Sequence, residues 1–276
     1  MGEIVAGFGV PHTPAFPAMV EREGPQCETA QLYRTVAQHL EEVKPDALIV
    51  FTSDHLNTFF LDNYPNLLIG VSDHTAGPND GTPAIKRTDI PVSEQLANHM
   101  YAFGLQHGFD FGLSQEFEVD HTIMVPLHFL TPHMQLPIVP IFVNGIVHPL
   151  PGARRCYALG QMVREAVEAL PSGAKVAVLG SGSWSLDVGG HLAPPGQYSG
   201  TPDPGWCQTV LDYLRGGKID DLLDAATAER MARAGNVGGE LLDWIATLGV
   251  VGDRKPRFLE PEMEHGHAYG VWRWDQ

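Results

Sequence analysis

The chain has 276 residues, 43% of them hydrophobic, with 30 Gly and 22 Pro; this length suits one large α/β domain with an ample core, and the composition is not that of a disordered chain. A formal net charge of −16 repels phosphate backbones and anionic membranes, which excludes nucleic acid and membrane surfaces as expected partners. No apolar run approaches the roughly 20 residues of a membrane span, no secretory leader is visible, and three scattered cysteines, Cys27, Cys156 and Cys207, read as reduced thiols of a cytoplasmic protein.

Residues 3–8 are a short apolar segment of strand character ending in Gly9-Val10-Pro11-His12. A helix is predicted over Glu28–Val43, where Leu32, Val36, Leu40 and Val43 recur at helical spacing and Lys44-Pro45 stops it. Residues 47–51 are a continuous apolar run, too short for a helix, and read as a buried central strand ending in Thr52-Ser53-Asp54-His55. A long excursion rich in Pro, Gly, Asn and Asp is expected over 61–90, a helix over 92–107, and no clean period over 114–133. Strands are predicted at 137–143 and 175–179, with a helix at 154–170 between them. A small-residue turn, Gly180-Ser181-Gly182-Ser183-Trp184-Ser185, follows the second of these strands, and then a polar loop over 187–205. Helices over 205–215, 218–233 and 239–248 precede a tail expected to be irregular from Arg254. Strands alternating with helices argue for a single α/β domain over 1–276, a central sheet flanked by helices.

In open α/β sheets ligands gather beyond the C-terminal ends of strands. His12 follows the first predicted strand and His55 the second. Imidazole is a good ligand for Fe, Zn or Cu, and Asp54 beside His55 is placed to orient a neighbouring ligand. In Gly235-Asn236-Val237-Gly238-Gly239-Glu240, two glycines allow close backbone approach before a carboxylate, and Trp244 lies one helical turn later as an aromatic wall. Two histidines and one carboxylate with positions left open are the arrangement of non-haem Fe(II) oxygenases. His121, in Val119-Asp120-His121-Thr122, adds an acid/base or substrate-binding candidate. For His128 and His133 packing or surface roles are the better reading.

Four short motifs recur in order: Val10-Pro11-His12-Thr13-Pro14; Ser53-Asp54-His55 with Phe59-Phe60; Asp120-His121-Thr122 with Val125-Pro126-Leu127; and Gly239-Glu240 with Trp244. Together they resemble the class III extradiol ring-cleavage dioxygenases, the family of the protocatechuate 4,5-dioxygenase β subunit. The resemblance implies a mixed-sheet α/β fold and Fe(II) held by His12, His55 and Glu240. It also implies His121 near an aromatic substrate, and O2 as co-substrate. Trp244 and Ser185 are expected beside His121 as substrate-binding side chains. The family usually carries a histidine, a proton carrier, shortly after the strand that ends at Leu179; here Leu186 stands in its place. Leucine exchanges no proton. His121 is expected to carry the proton traffic, with His191 on the following loop as the other candidate catalytic histidine.

The expected activity is therefore Fe(II)-dependent, extradiol-type opening of a dihydroxylated or aminohydroxylated ring. The alternative is a metal-dependent hydrolase or lyase on the same scaffold, since two His and one Glu also bind catalytic Zn; a non-catalytic interaction protein is the third reading. Some relatives cover the active site with a separate small subunit. A partner of that kind, a homo-oligomer contact or the loops at 61–90 and 187–205 must do so here, and a homo-oligomer is the expectation.

Overall fold

Runs such as Val176-Ala177-Val178-Leu179 are apolar throughout, so both faces of the strand they form must be covered. The computed structural model, which describes residues 1–189 and 199–274, covers them with helices on both sides. In chain order the elements are β1 (Glu3–Val10), α1 (Phe16–Glu23), α2 (Glu28–Val43), β2 (Ala47–Thr52), β3 (Leu67–Gly70), β4 (His74–Gly77) and β5 (Thr88–Pro91). Then come α3 (Glu94–Gln106), β6 (Gly112–Ser114), α4 (His121–Leu130), β7 (Ile138–Val143), α5 (Ala153–Glu168), β8 (Lys175–Ser181), β9 (Asp187–Val188) and β10 (Ser199–Gly200). The last are α6 (Pro204–Gly216), α7 (Ile219–Ala225), α8 (Ala228–Arg233), α9 (Leu241–Val251), β11 (Phe258–Glu262) and β12 (His267–Arg273).

Eight strands form one mixed sheet in the order β11-β12-β1-β8-β2-β7-β3-β6. Its centre is parallel, with β8 between β1 and β2 and β7 beyond β2; β12 runs antiparallel to β1, and β3 antiparallel to β7. The strand period of two divides the core. Val176, Val178, Ile49 and Phe51 pack with α5 and α9 on one face, and Ala177, Leu179, Leu48 and Val50 with α2 and α4 on the other. β1 and β2 are therefore not neighbours but flank β8. All three end on the same edge of the sheet, where Val10 is level with Ser181.

Two expectations are corrected and a third is explained. The excursion at 61–90 contains β3, a strand of the main sheet, and the hairpin β4–β5. The stretch 114–133 contains α4, which is apolar nearly all round because it is buried, so it carries no amphipathic period to read. The tail is not irregular: β11 and β12 complete one side of the sheet, and every residue of β12 is buried. A strand covered on both faces shows no alternation, and the three aromatic or histidine residues of His267-Ala268-Tyr269-Gly270-Val271-Trp272-Arg273 hide its apolar character.

Candidate metal centre

The shared edge of β1, β8 and β2 gathers the candidate ligands. His12 lies two residues beyond β1 and is 3% exposed. Its Nε2 is 3.1 Å from Glu240 Oε1, and His55 Nε2 is 2.7 Å from the same oxygen. Glu240 comes from a short 3₁₀ turn, Gly238–Glu240, immediately before α9, and is fully buried. Close backbone approach is what lets this turn reach the site: a Cβ on Gly239 would lie 2.2 Å from the Gly145 carbonyl oxygen. Beyond β8, the Ser183 N–H donates to Glu240 Oε2 at 2.7 Å, which aims Oε1 at the two imidazoles.

The hydrogen-bond inventory around His12 shows that a cation fits there. Ser181 Oγ donates its one hydrogen to the Thr122 carbonyl at 2.7 Å, so at 2.9 Å from His12 Nδ1 it can only accept. Nδ1 therefore carries the proton in neutral His12, and Nε2 presents a lone pair to a carboxylate oxygen. Two acceptors face each other in a buried site, an arrangement that a proton or a metal ion between them satisfies. Burial lowers the His12 pKa against the pull of Glu240. For His55, burial opposes protonation, but the bond to Glu240 and the charges of Asp120 and Asp54 leave its pKa raised. Burial would lift the Glu240 carboxyl, yet the two histidines hold it well below the usual carboxylate range.

His121 is the first residue of α4, whose N-cap Asp120 accepts from the Thr122 N–H. Its ring lies 4.7 Å from that of His55 and 5.6 Å from that of His12, centroid to centroid. Ring nitrogens of all three histidines lie within 4.8 Å of one another. His121 Nδ1 is bound to the Asp80 carboxylate, which also accepts from the Thr82 hydroxyl at 2.6 Å. Burial would raise the Asp80 pKa, but these bonds hold it far below the ordinary value. Asp120 Oδ2 accepts the His55 backbone N–H at 3.2 Å and the Asn57 amide at 2.9 Å. Asp54, expected to orient a ligand ring, instead accepts the backbone N–H groups of Asn57, Thr58 and Phe59 and so shapes the turn after His55.

A cavity of about 560 Å³ opens over these groups, lined by His12, His55, His121 and Glu240 together with Thr13, Pro14, Ala15, Asn57, Leu186, Val188, Gly189, Asn236 and His265. Trp244 and Ser185, expected to touch substrate, do not line it. Glu240 leaves from the 3₁₀ turn, whereas Trp244 sits a turn inside α9 and faces the core, edge-on to Trp184 at 5.0 Å. Ser185 is buried with its hydroxyl accepting the Asp203 N–H at 2.9 Å. His191 lies outside the described residues. Sequence reasoning missed Ser181, Ser183, Asp80, Asn236 and His265. The two serines stand in the small-residue turn singled out above, but Asp80 and His265 reach the site through tertiary contacts that leave no local signal.

The chain is similar to known proteins over nearly its whole length. Residues 6–272 match the family described as "Catalytic LigB subunit of aromatic ring-opening dioxygenase". Curated relatives include a 2,3-dihydroxyphenylpropionate/2,3-dihydroxicinnamic acid 1,2-dioxygenase of Klebsiella pneumoniae, 25% identical over 95% of this chain and 89% of that protein. The protein of that name from Photorhabdus laumondii is 30% identical, with 92% of each chain covered. Its Escherichia coli counterpart is 32% identical over 86% of this chain and 81% of that one. Among solved structures, an uncharacterized protein of Escherichia coli K12 shares the fold, with a TM-score of 0.61 at 15% identity, over 97% of this chain and 99% of that one. The chain belongs to the family of catalytic subunits of aromatic ring-opening dioxygenases.

Proposed function

We propose that this ring-opening dioxygenase works with Fe(II) held by His12, His55 and Glu240, and that it opens a catechol-type ring beside its two hydroxyls. The observation that carries the reading is the convergence of two imidazole Nε2 atoms and one carboxylate oxygen at the floor of a cavity wide enough for a substituted catechol. Bound there, Fe(II) would supply a centre at which the ring and dioxygen meet and exchange electrons. The protein's own contributions follow from the geometry. Asp80 fixes Nδ1 of His121, which leaves Nε2 free to meet a substrate hydroxyl. Asn57, Asn236 and the apolar groups of Pro14, Ala15, Leu186 and Val188 shape the space above. The curated relatives are named for catechols that bear a three-carbon acid side chain, and this chain is proposed to take a ring of the same dihydroxylated class. Its three cysteines are all free thiols, in keeping with a cytoplasmic enzyme; a homo-oligomer is proposed on the general prevalence of symmetric assembly.

The test is anaerobic reconstitution with Fe(II), followed by oxygen uptake on a panel of catechols, gallates, aminophenols and dihydroxypyridines. Native protein should hold about one iron per chain and consume oxygen only when iron is present, with Zn(II) giving no turnover. His12→Ala and Glu240→Ala should lose iron on desalting, and His121→Ala should retain it. Normal iron retention by Glu240→Ala would refute the ligand assignment, and iron-independent oxygen uptake would refute the cofactor.

A further inference from the structure

Leu186 lines the cavity but cannot exchange a proton. The turn that carries His265 is fastened to the same stretch of chain. Residues Met263–His265 form a 3₁₀ turn between β11 and β12, ended by Gly266 at φ 73°. The Gly266 carbonyl accepts the N–H groups of Trp184 at 2.8 Å and Ser185 at 3.0 Å, directly before Leu186. A Cβ on Gly266 would lie 1.8 Å from the Ser185 carbonyl oxygen, so only glycine allows the approach. The Thr201 hydroxyl donates to the Glu264 carbonyl at 2.8 Å as a second fastening. An imidazole from the C-terminal turn is thereby delivered to the cavity wall that Leu186 shares.

The ring is also oriented. It stacks on His267, with centroids 5.7 Å apart and planes 13° from parallel, and Phe16 meets it edge-on at 5.9 Å. His267 is itself held by Glu262 at 2.8 Å, and Glu262 further accepts the hydroxyls of Tyr269 at 2.7 Å and Thr29 at 2.9 Å. Among the described residues the His265 ring nitrogens have no hydrogen-bond partner. The other cavity histidines are engaged: His12 and His55 with Glu240, His121 with Asp80.

We propose that His265 is the proton acceptor for a ring hydroxyl of the substrate, supplying from the C-terminal turn what Leu186 cannot; the proposal rests on the ring-opening reading above. In the step, the hydroxyl O–H bond breaks, its electron pair stays on oxygen and the proton moves to the imidazole. The same proton is returned to the opened product, so product carries all atoms of the ring and of O2 and His265 ends as it began. Among the described residues, the titratable and charged groups around this ring are His12, His55, His121 and Glu240 of the same cavity, His267 stacked on it with Glu262 behind, and Glu264 beside it in the turn. Phe16 from α1 and Thr201 contribute no charge.

Two measurements test it. Protein loaded with Zn(II), which does not exchange electrons with dioxygen, is mixed with 4-nitrocatechol, whose colour reports its ionisation. In His265→Ala and His265→Gln the bound probe should ionise at higher pH than in the native protein. With Fe(II) and a substrate from the panel, kcat should fall about 100-fold or more, while KM and iron content stay within about twofold of native. An unchanged colour–pH curve overturns the proposal. So does a kcat within threefold of native, or a loss that follows iron content or melting temperature instead of kcat alone. Failure of native protein to bind 4-nitrocatechol removes both this proposal and the catechol reading. If the probe binds but no panel compound consumes oxygen, the proposed function fails, while the colour arm still decides whether His265 meets the hydroxyl.

Discussion

Asp243 lies one turn beyond Glu240, wholly buried, and the Ser53 hydroxyl is its partner at 3.0 Å. That hydroxyl has one hydrogen, which the Val143 carbonyl also claims at 2.9 Å. A neutral Asp243 resolves the conflict, because its own O–H then donates to Ser53. Electrostatics agree: burial first, then the charge of Glu240, push the Asp243 carboxyl well above its usual range. A pKa raised on folding means the folded state binds the extra proton. The corresponding stability is present at acid pH and is lost as pH climbs from the ordinary value of 3.8 through the folded one. His12 and Glu240, both lowered, act in the opposite sense, so the Asp243 contribution is read by difference. In metal-free protein, Asp243→Asn should remove a slope of up to about 1.4 kcal/mol per pH unit from the dependence of unfolding free energy on pH above 4. Urea titrations of both proteins at several pH values measure it, and parallel curves would show Asp243 ionised in the fold. At this scale His12, His55, Glu240 and His121 were legible as candidates because each stands in a short motif. Asp80, 41 residues before its partner His121, was not.

The element that organises the site is α9. It packs against α5 and the central strands, and its Trp244 donates to the Gly182 carbonyl at 2.9 Å while meeting Trp184 and Trp272 edge-on. The indole thus braces the small-residue turn whose Ser183 N–H holds Glu240. Trp244→Ala should cost about 3–5 kcal/mol of unfolding free energy, and Trp244→Phe about 1 kcal/mol for the lost hydrogen bond plus a smaller packing loss. Chemical denaturation distinguishes them, and an alanine variant as stable as native would mean the indole is not a core anchor. Elements with one apolar face, such as α2, or a bounded apolar run, such as β2, β7 and β8, were readable from periodicity and length. α4 and β12 were not, because burial on all sides erases the pattern that periodicity relies on. The helix expected over 218–233 is two, α7 and α8, broken where the Thr227 hydroxyl caps the second.

At the scale of the whole molecule, a charge of −16 sets up a field that opposes anionic ligands. No Lys or Arg lines the cavity among the described residues, and residues 190–198 contain none. A catechol with a carboxylate side chain must therefore approach against repulsion that salt screens within about 8–10 Å at physiological ionic strength. For a panel catechol that bears a carboxylate side chain, kcat/KM should rise about two- to fivefold between low and physiological salt, whereas unsubstituted catechol should change little. Steady-state kinetics over that range checks it, and a fall with salt for the acid would reveal a cationic entrance. No helix among the described residues is long and apolar enough to cross a membrane.

The fold class, the ring-opening family and a set of candidate metal ligands were legible in the chain alone, because strand and helix periods and short motifs are local properties. Tertiary structure alone decided which of them meet. The order β1-β8-β2 places His12 and His55 on either side of the turn that anchors Glu240. Trp244 from α9 and Ser185 from the turn after β8 are buried in the core, away from the cavity where they had been expected. The sheet also brings the turn before β12 against Ser185, so that His265, 79 residues beyond Leu186 in the chain, lines the cavity with it. Contacts between residues so far apart depend on strand order and close backbone approach, and no window of sequence contains them.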